Sequence, residues 1–102
     1  MSQTLVLPLI GLDVEFPDNL YVLHHARSDR YGCYEYDGIH GLACFSTEGA
    51  AFGFAQWIDL TGMTTKEVTF DEAREIAKQR PIQVVSIMLL DRLDNPLIHY
   101  VR

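Results

Sequence analysis

The chain has 102 residues, with 14 acidic and 8 basic side chains that give a formal net charge of −6. This length predicts one domain, residues 1–102, that is large enough for a hydrophobic core. A hydrophobic content of 48% argues against a disordered chain. Nucleic acids and anionic membranes are bound by clustered Lys and Arg, and the chain has no basic run, so neither is expected as a partner.

Residues 1–19 are predicted to form an edge strand or an extended arm. Their apolar stretch, residues 5–10, is interrupted by Pro8, and proline restricts a strand to a sheet edge or a bulge. No basic residue precedes this stretch, so it lacks the start of a signal peptide, and it is far shorter than the roughly 20 residues of a membrane span. With only two cysteines, the chain has no disulfide scaffold. We therefore expect a cytoplasmic protein without a membrane segment.

Asp37-Gly38 predicts a two-residue β-turn, because both positions favour the positive φ that a tight hairpin needs. A strand over residues 20–27 precedes the hairpin. Counting outward from the turn sets the expected pairs: Tyr36 with Ile39, Glu35 with His40, Cys33 with Leu42, and Tyr31 with Cys44. Alternation then divides the side chains between two faces. One face holds Tyr31, Cys33, Glu35, His40, Leu42 and Cys44, and the other holds Tyr34, Tyr36, Ile39, Ala43 and Phe45.

Two helices are predicted after the hairpin. Ser46 or Thr47 is expected to cap a helix over residues 48–60, with Gly62 near its C′ position. Within it, glycines at positions 49 and 53 each cost about 1 kcal/mol relative to Ala, and their spacing would let another backbone approach closely. A capping box that starts at Thr69 predicts a second helix over residues 70–80, which Pro81 ends.

The remaining segments are predicted strands. Residues 63–68 form a short strand, and residues 82–90 are apolar on both alternating faces, which is typical of a central strand covered on both sides. A turn at residues 94–96 leads to a closing strand, residues 97–101, antiparallel to its predecessor. The predicted fold class is α+β, a mostly antiparallel sheet with two helices packed on it.

The hairpin carries the candidate chemical groups. Cys33, Glu35 and His40 share the predicted face, where a thiolate, a carboxylate and an imidazole would make a nucleophile, an orienting group and a base. An ordinary solvated Glu–His contact explains the same pair, and the spacing matches no metal-ligand motif, so no metal site is predicted. Cys33 and Cys44 are expected to be two packed thiols, because diagonal neighbours lie about 7–8 Å apart.

Aromatic residues suggest a contact surface. Tyr34, Tyr36, Phe52 and Trp57, together with the N-terminal arm, are the predicted binding residues, since exposed aromatics rimmed by polar groups mark partner surfaces. A core under the hairpin is the other explanation for them. An edge strand can also pair with a second copy, so a homodimer is expected.

Residues 41–48, Gly-Leu-Ala-Cys-Phe-Ser-Thr-Glu, lead into an Ala- and Phe-rich helix. This run resembles the core of SseB-like N-terminal domains and of small bacterial domains of unknown function, and the order of elements is similar over residues 20–101. The resemblance implies an interaction or accessory module, and it supplies no catalytic residues. We therefore predict a non-enzymatic bacterial protein that binds itself or another protein and uses no cofactor. The alternative is a small-ligand or Cys/His-based enzymatic site on the hairpin, residues 31–45.

Overall fold

The computed structural model describes residues 16–58 and 62–102. Most of the predicted edge strand or arm, residues 1–19, lies outside the described residues, so the structure does not test that prediction. Seven strands and two helices are described: β1 (Asn19–His25), β2 (Arg30–Tyr31), β3 (Cys33–Tyr36), β4 (Ile39–Phe45), α1 (Glu48–Trp57), β5 (Thr64–Thr69), α2 (Phe70–Lys78), β6 (Val84–Leu89) and β7 (Leu97–Tyr100).

All seven strands belong to one mixed sheet, and the predicted α+β class is confirmed. The strand order β2-β1-β4-β6-β7 forms its main path, with β3 paired to β4 and β5 paired to β1. Every described strand pair is antiparallel except β4 with β6, which is parallel. The chain leaves β4, passes through α1, β5 and α2, and returns as β6 beside β4, a crossover that a parallel pair requires.

The predicted hairpin turn is confirmed, with positive φ angles of 53° at Asp37 and 82° at Gly38. The predicted register is confirmed for its three inner pairs, Tyr36 with Ile39, Glu35 with His40, and Cys33 with Leu42. The fourth pair, Tyr31 with Cys44, is wrong. Tyr31 pairs with His24, and Cys44 pairs with Val22.

Gly32 explains why the register stops before Tyr31. Its N–H donates to the Leu23 carbonyl and its own carbonyl accepts from the Ala43 N–H, both at 2.9 Å. Gly32 therefore lies between β1 and β4, where the chain passes from one neighbour to the other. A Cβ atom on Gly32 would lie 3.2 Å from the Cβ of Leu23, so this crossing favours a residue without a side chain.

The helices cover opposite faces of the sheet. Ala73 and Ala77 of α2 pack in one core with Leu42 and Cys44 of β4. On the other face, α1 packs in a second core that includes Ala51 and Phe54 of α1 with Ala43 and Phe45 of β4. Neighbouring β4 side chains thus enter different cores, as the predicted alternation requires, and β4 and β6 are buried on both faces.

Local side-chain signals set where the helices begin. Thr47 caps α1 by accepting a hydrogen bond from the Ala50 N–H at 3.1 Å, while Ser46, the other candidate, donates its N–H and hydroxyl to Asp91. The capping box of α2 is confirmed: the Glu72 N–H donates to Thr69 Oγ1 at 3.1 Å, and the Thr69 N–H donates to Glu72 Oε1 at 2.8 Å.

Both helices end earlier than predicted. Ile58 caps α1, so Gly62 is not its C′ residue; instead Gly62 has a φ of 84° in the connection before β5. At the end of α2, the Arg102 guanidinium donates to the carbonyls of Ala77, Lys78 and Arg80 at 2.7–3.2 Å. That guanidinium supplies donors to carbonyls at a helix end, where the helix itself leaves the last carbonyls unsatisfied. In the described ranges, neither helix has the length and apolar character needed to cross a membrane.

Candidate functional site

The hairpin brings two of its three candidate chemical groups together. His40 Nε2 lies 3.9 Å from Glu35 Oε1, with the Glu35 side chain exposed and the His40 side chain about half-exposed. Within residues 16–58 and 62–102, no hydrogen bond or ion pair joins Cys33 to either of them. The Cys33 thiol instead donates to the Tyr31 carbonyl at a distance of 3.8 Å. The pair therefore has the geometry of a solvated cross-strand contact.

The surroundings of Cys33 do not activate its thiol. Desolvation raises the pKa of Cys33 above its ordinary value, and the positive charge of Arg80 only partly opposes this. A nucleophilic cysteine needs a lowered pKa, because the thiolate is the reactive form. Both cysteines are free thiols; Cys44 is buried as predicted, whereas Cys33 is exposed rather than packed. Among the described residues, no group of three or more potential ligands could hold a metal ion.

Tyr31 lies in a charged cluster that was not predicted. The His24 ring lies 4.7 Å from the Tyr31 ring, and the Arg80 guanidinium lies 5.2 Å from it. Lys66 Nζ donates to the Tyr31 hydroxyl at 3.3 Å. His24 Nε2 also forms a hydrogen bond with Asp29 Oδ1 at 2.9 Å, and this hydrogen bond lowers the pKa of Asp29. Four separate segments meet here, so no local spacing could have indicated the cluster.

A groove of about 380 Å³ runs between β5 and α2. Tyr31, Val68 and Ile76 are among its lining residues, and several carboxylates line it as well. Each carboxylate on α2 already has a partner: Asp71 lies 3.8 Å from Arg74, Glu75 lies 3.5 Å from Lys78, and Glu72 belongs to the capping box. The carboxylates that α2 contributes to this groove are therefore paired within the chain.

The outward side of α1 exposes two aromatic side chains to solvent. Phe52 is 58% exposed and Trp57 is 67% exposed, although Ala51 and Phe54 of the same helix are buried. We define the aromatic face of α1 as Gly49, Phe52, Gly53, Gln56 and Trp57. None of these five residues is charged, and Phe52 and Trp57 present aromatic rings to solvent where a surface helix ordinarily carries charged or polar side chains.

The predicted binding residues do not form one continuous patch. Phe54 connects two of them, because its ring lies 5.7 Å from Tyr34 and 6.0 Å from Trp57. Tyr34 and Tyr36 are half-buried beside the α1-side core, and the Tyr36 hydroxyl donates to the Asp94 carbonyl at 3.3 Å. Phe52 instead lines a separate hollow with Thr65 of β5. The two tyrosines thus contribute more to the core than to an open surface.

The two glycines of the aromatic face have open space around them. A Cβ atom at either Gly49 or Gly53 would meet no atom within 4 Å. Packing inside the described part of the chain therefore does not require glycine at these positions. Each still costs a helix about 1 kcal/mol relative to Ala, and no contact in the described part of the chain accounts for that cost.

No protein-family model matches this chain, and the searches found no similar curated protein and no similar solved structure. The resemblance to SseB-like N-terminal domains therefore stays a prediction. Function has to be argued from the surfaces and groups described above.

Proposed function

We propose that this domain is a non-enzymatic module that acts through protein–protein contact, with the aromatic face of α1 as its contact surface. The observation that carries the proposal is the exposure of Phe52 and Trp57 on a helix face without charge. Aromatic residues are enriched in the buried centre of interfaces, where charged residues are depleted. Tryptophan is also among the residues whose truncation most often weakens binding.

The magnitude of the exposed surface supports this choice. A Phe or Trp side chain can bury about 150–250 Å², so the exposed fractions of 58% and 67% leave on the order of 100–150 Å² on each ring. At about 25 cal/mol per Å², covering both rings would stabilise a complex by up to roughly 5–8 kcal/mol before the costs of association. Neither ring contributes this burial to the fold of a single chain.

A cytoplasmic location is part of the proposal. Cys33 is an exposed free thiol, and such thiols persist in reducing compartments. A bacterial origin is supported by the resemblance of residues 41–48 to small bacterial domains. Both statements agree with a module that meets its partner inside a cell.

A small-ligand or enzymatic site on the hairpin is the second candidate function. The contact between Glu35 and His40 at 3.9 Å favours it, because a carboxylate that orients an imidazole is part of many acid–base sites. The raised pKa of the Cys33 thiol opposes the nucleophilic version of this site. We therefore prefer the contact surface on α1 over the hairpin site as the functional surface.

Photo-crosslinking in cells tests the proposed surface. A photoreactive amino acid is placed at position 52 or 57 of the full chain, and at position 82 as the matched control. Ile82 is 79% exposed and lies between α2 and β6, away from the aromatic face. We expect a defined crosslinked protein from positions 52 and 57 and none from position 82. Equal yields at all three positions, or no product at any, would contradict the proposal.

A further inference from the structure

We propose that the turn between β1 and β2, residues 26–29, is a pH-sensitive switch controlled by His25. The neutral His25 ring holds the turn in place, and the protonated ring releases it on the His25 side. The inference goes beyond the contact surface on α1, because it involves none of the residues of the aromatic face. It rests on the hydrogen bonds and charges around two adjacent histidines.

A backbone N–H determines which form of the His25 ring fits the turn. The Ser28 N–H donates to His25 Nδ1 at 3.3 Å, and the Ser28 hydroxyl lies 2.9 Å from the same nitrogen. A backbone N–H can only donate, so Nδ1 must offer a lone pair and the neutral ring carries its proton on Nε2. A doubly protonated ring has no lone pair. Protonation of His25 therefore removes the acceptor of the Ser28 N–H.

His24 responds to acid in the opposite way. His24 Nε2 lies 2.9 Å from Asp29 Oδ1, and an ionised carboxylate can only accept, so Nε2 carries a proton. Protonation of His24 keeps this donor and adds a positive charge, which makes the hydrogen bond stronger. Successive side chains of a strand point to opposite faces. Acid therefore strengthens the contact on one side of the turn and breaks the contact on the other.

The strand pairing places a positive charge opposite His25. Arg30 of β2 is its direct cross-strand partner, and like charges at such positions destabilise a strand pair. Both residues also line a hollow of about 440 Å³, to which β3 contributes Cys33 and the ends of neighbouring segments contribute Ile58 and Met63. No carboxylate is among the described lining residues of this hollow. A protonated His25 therefore meets repulsion from Arg30.

The acidic group of the turn does not neutralise His25. The Asp29 carboxylate bonds His24, and the other positive groups that lower its pKa are Arg80 and Lys66. Asp29 thus lies on the His24 side of the turn. The remaining charged residue of the turn, Arg27, is positive like Arg30. The charges near His25 therefore favour its release once the ring is protonated.

The packing of the His25 ring directs the response to the turn. A Cβ atom built on Gly62 would lie 2.8 Å from His25 Nε2, so the ring lies close to the backbone on that side. Asp29 has a φ of 53°, a left-handed conformation that is unfavourable for a residue with a side chain. With the ring confined by Gly62, the exposed turn is the part that moves. Ser28 forms part of the wall of the hollow, so its release widens the hollow in acid.

Hydrogen exchange of the Ser28 amide with water, followed by NMR between pH 8 and pH 5, tests the switch. At pH 8 we expect about fivefold slower exchange than for an unbonded amide, the ratio that corresponds to one ordinary hydrogen bond. Imidazoles ordinarily change charge between about pH 5 and 8. The protection should therefore disappear by pH 5, with the same midpoint as the ¹⁵N shifts of the His25 ring. These shifts should also show the neutral ring protonated on Nε2.

Three variants separate the charge of the ring from its acceptor atom. His25→Asn places an amide oxygen near the position of Nδ1, and this oxygen accepts at every pH in the range, so the Ser28 amide should stay protected at pH 5. His25→Ala should lose the protection at both pH values. His24→Gln is the matched control, because it keeps a donor for Asp29 and should leave the response of Ser28 unchanged. Circular dichroism checks that each variant is folded.

Clear results would overturn the switch. A Ser28 amide whose protection is the same at pH 8 and pH 5 in the natural chain overturns it, as does a neutral His25 ring protonated on Nδ1. Loss of protection in acid that persists in His25→Asn overturns His25 as the controlling group. Loss that disappears in His24→Gln but persists in His25→Asn assigns control to His24 and contradicts the proposal.

Discussion

Replacing Gly41 with alanine should destabilise the domain, because β4 and β6 leave no space at this position. The added Cβ atom would lie 2.5 Å from Ser86 Oγ and 2.7 Å from Met88 Cγ. Both of these side chains are fully buried, so neither can turn into solvent to relieve the contact. The Ser86 hydroxyl also donates to the His40 carbonyl at 3.2 Å, and displacement would weaken this bond.

The expected loss comes from three contributions. Overpacking a core costs about 1–3 kcal/mol, and weakening a buried hydrogen bond adds about 1 kcal/mol. Alanine recovers roughly 0.5–1 kcal/mol, because glycine is unfavourable inside a strand. The sum predicts a decrease of about 1–3.5 kcal/mol in the free energy of unfolding, and each kcal/mol lowers the melting temperature by roughly 4–8 °C.

Gly53→Ala is the matched control, since it makes the same chemical change at an open helix position. It should raise the free energy of unfolding by about 1 kcal/mol, measured at a dilution where the chain is monomeric. Urea unfolding followed by circular dichroism gives both values. If Gly41→Ala matched the natural chain in stability, or raised it as Gly53→Ala should, the described packing of β4 against β6 would be refuted.

Four further outcomes are expected. Thr69→Ala should lower the free energy of unfolding, measured in urea, by about 1 kcal/mol. Thr69→Ser should keep most of the natural stability, because serine retains the hydroxyl that caps α2. Arg102→Ala should lower it by about 1–2 kcal/mol, whereas the exposed Arg92→Ala should lie within about 0.5 kcal/mol of the natural chain. Iodoacetamide should alkylate Cys33 more slowly than a free thiol at neutral pH, because partial desolvation by neighbouring groups raises the pKa of this surface thiol; Cys33→Ser removes the signal, and faster alkylation would support the nucleophilic site. The hydrogen bond from His24 lowers the pKa of Asp29. The charged carboxylate therefore stabilises the fold at pH values above the ordinary carboxyl pKa, and this stabilisation is lost as the pH falls through the lowered pKa of Asp29. Asp29→Asn should therefore weaken the dependence of the free energy of unfolding on pH in this acidic range, and an unchanged dependence would count against the His24 contact.

Features that depend on neighbouring residues were predictable without the structure. Asp37 and Gly38 set the turn because their own backbone preferences favour positive φ. Thr69 and Glu72 mark the start of α2 because each satisfies the other's backbone N–H within one helical turn. Alternation also assigned the β4 side chains to two faces, since it needs only the period of an extended chain.

The errors occurred where a distant segment decides the local geometry. Counting from the turn paired Tyr31 with Cys44, but pairing continues only while two strands remain neighbours, and at Gly32 the chain passes from β4 to β1. The parallel pairing of β4 with β6 was missed for a similar reason. An apolar strand indicates burial on both faces without naming which strand lies beside it.

The candidate site divides along the same line. The sequence by itself determined the helix that carries Phe52 and Trp57, the spacing of its two glycines, and the register that joins Glu35 to His40, because each follows from chain periodicity or a local turn. Tertiary structure alone decided that Tyr34 and Tyr36 lean into the core while Phe52 and Trp57 remain exposed. Periodicity identifies side chains that share a face, but burial depends on which other segment packs against that face. Among the described residues, no other segment covers Phe52 and Trp57, which remain 58% and 67% exposed.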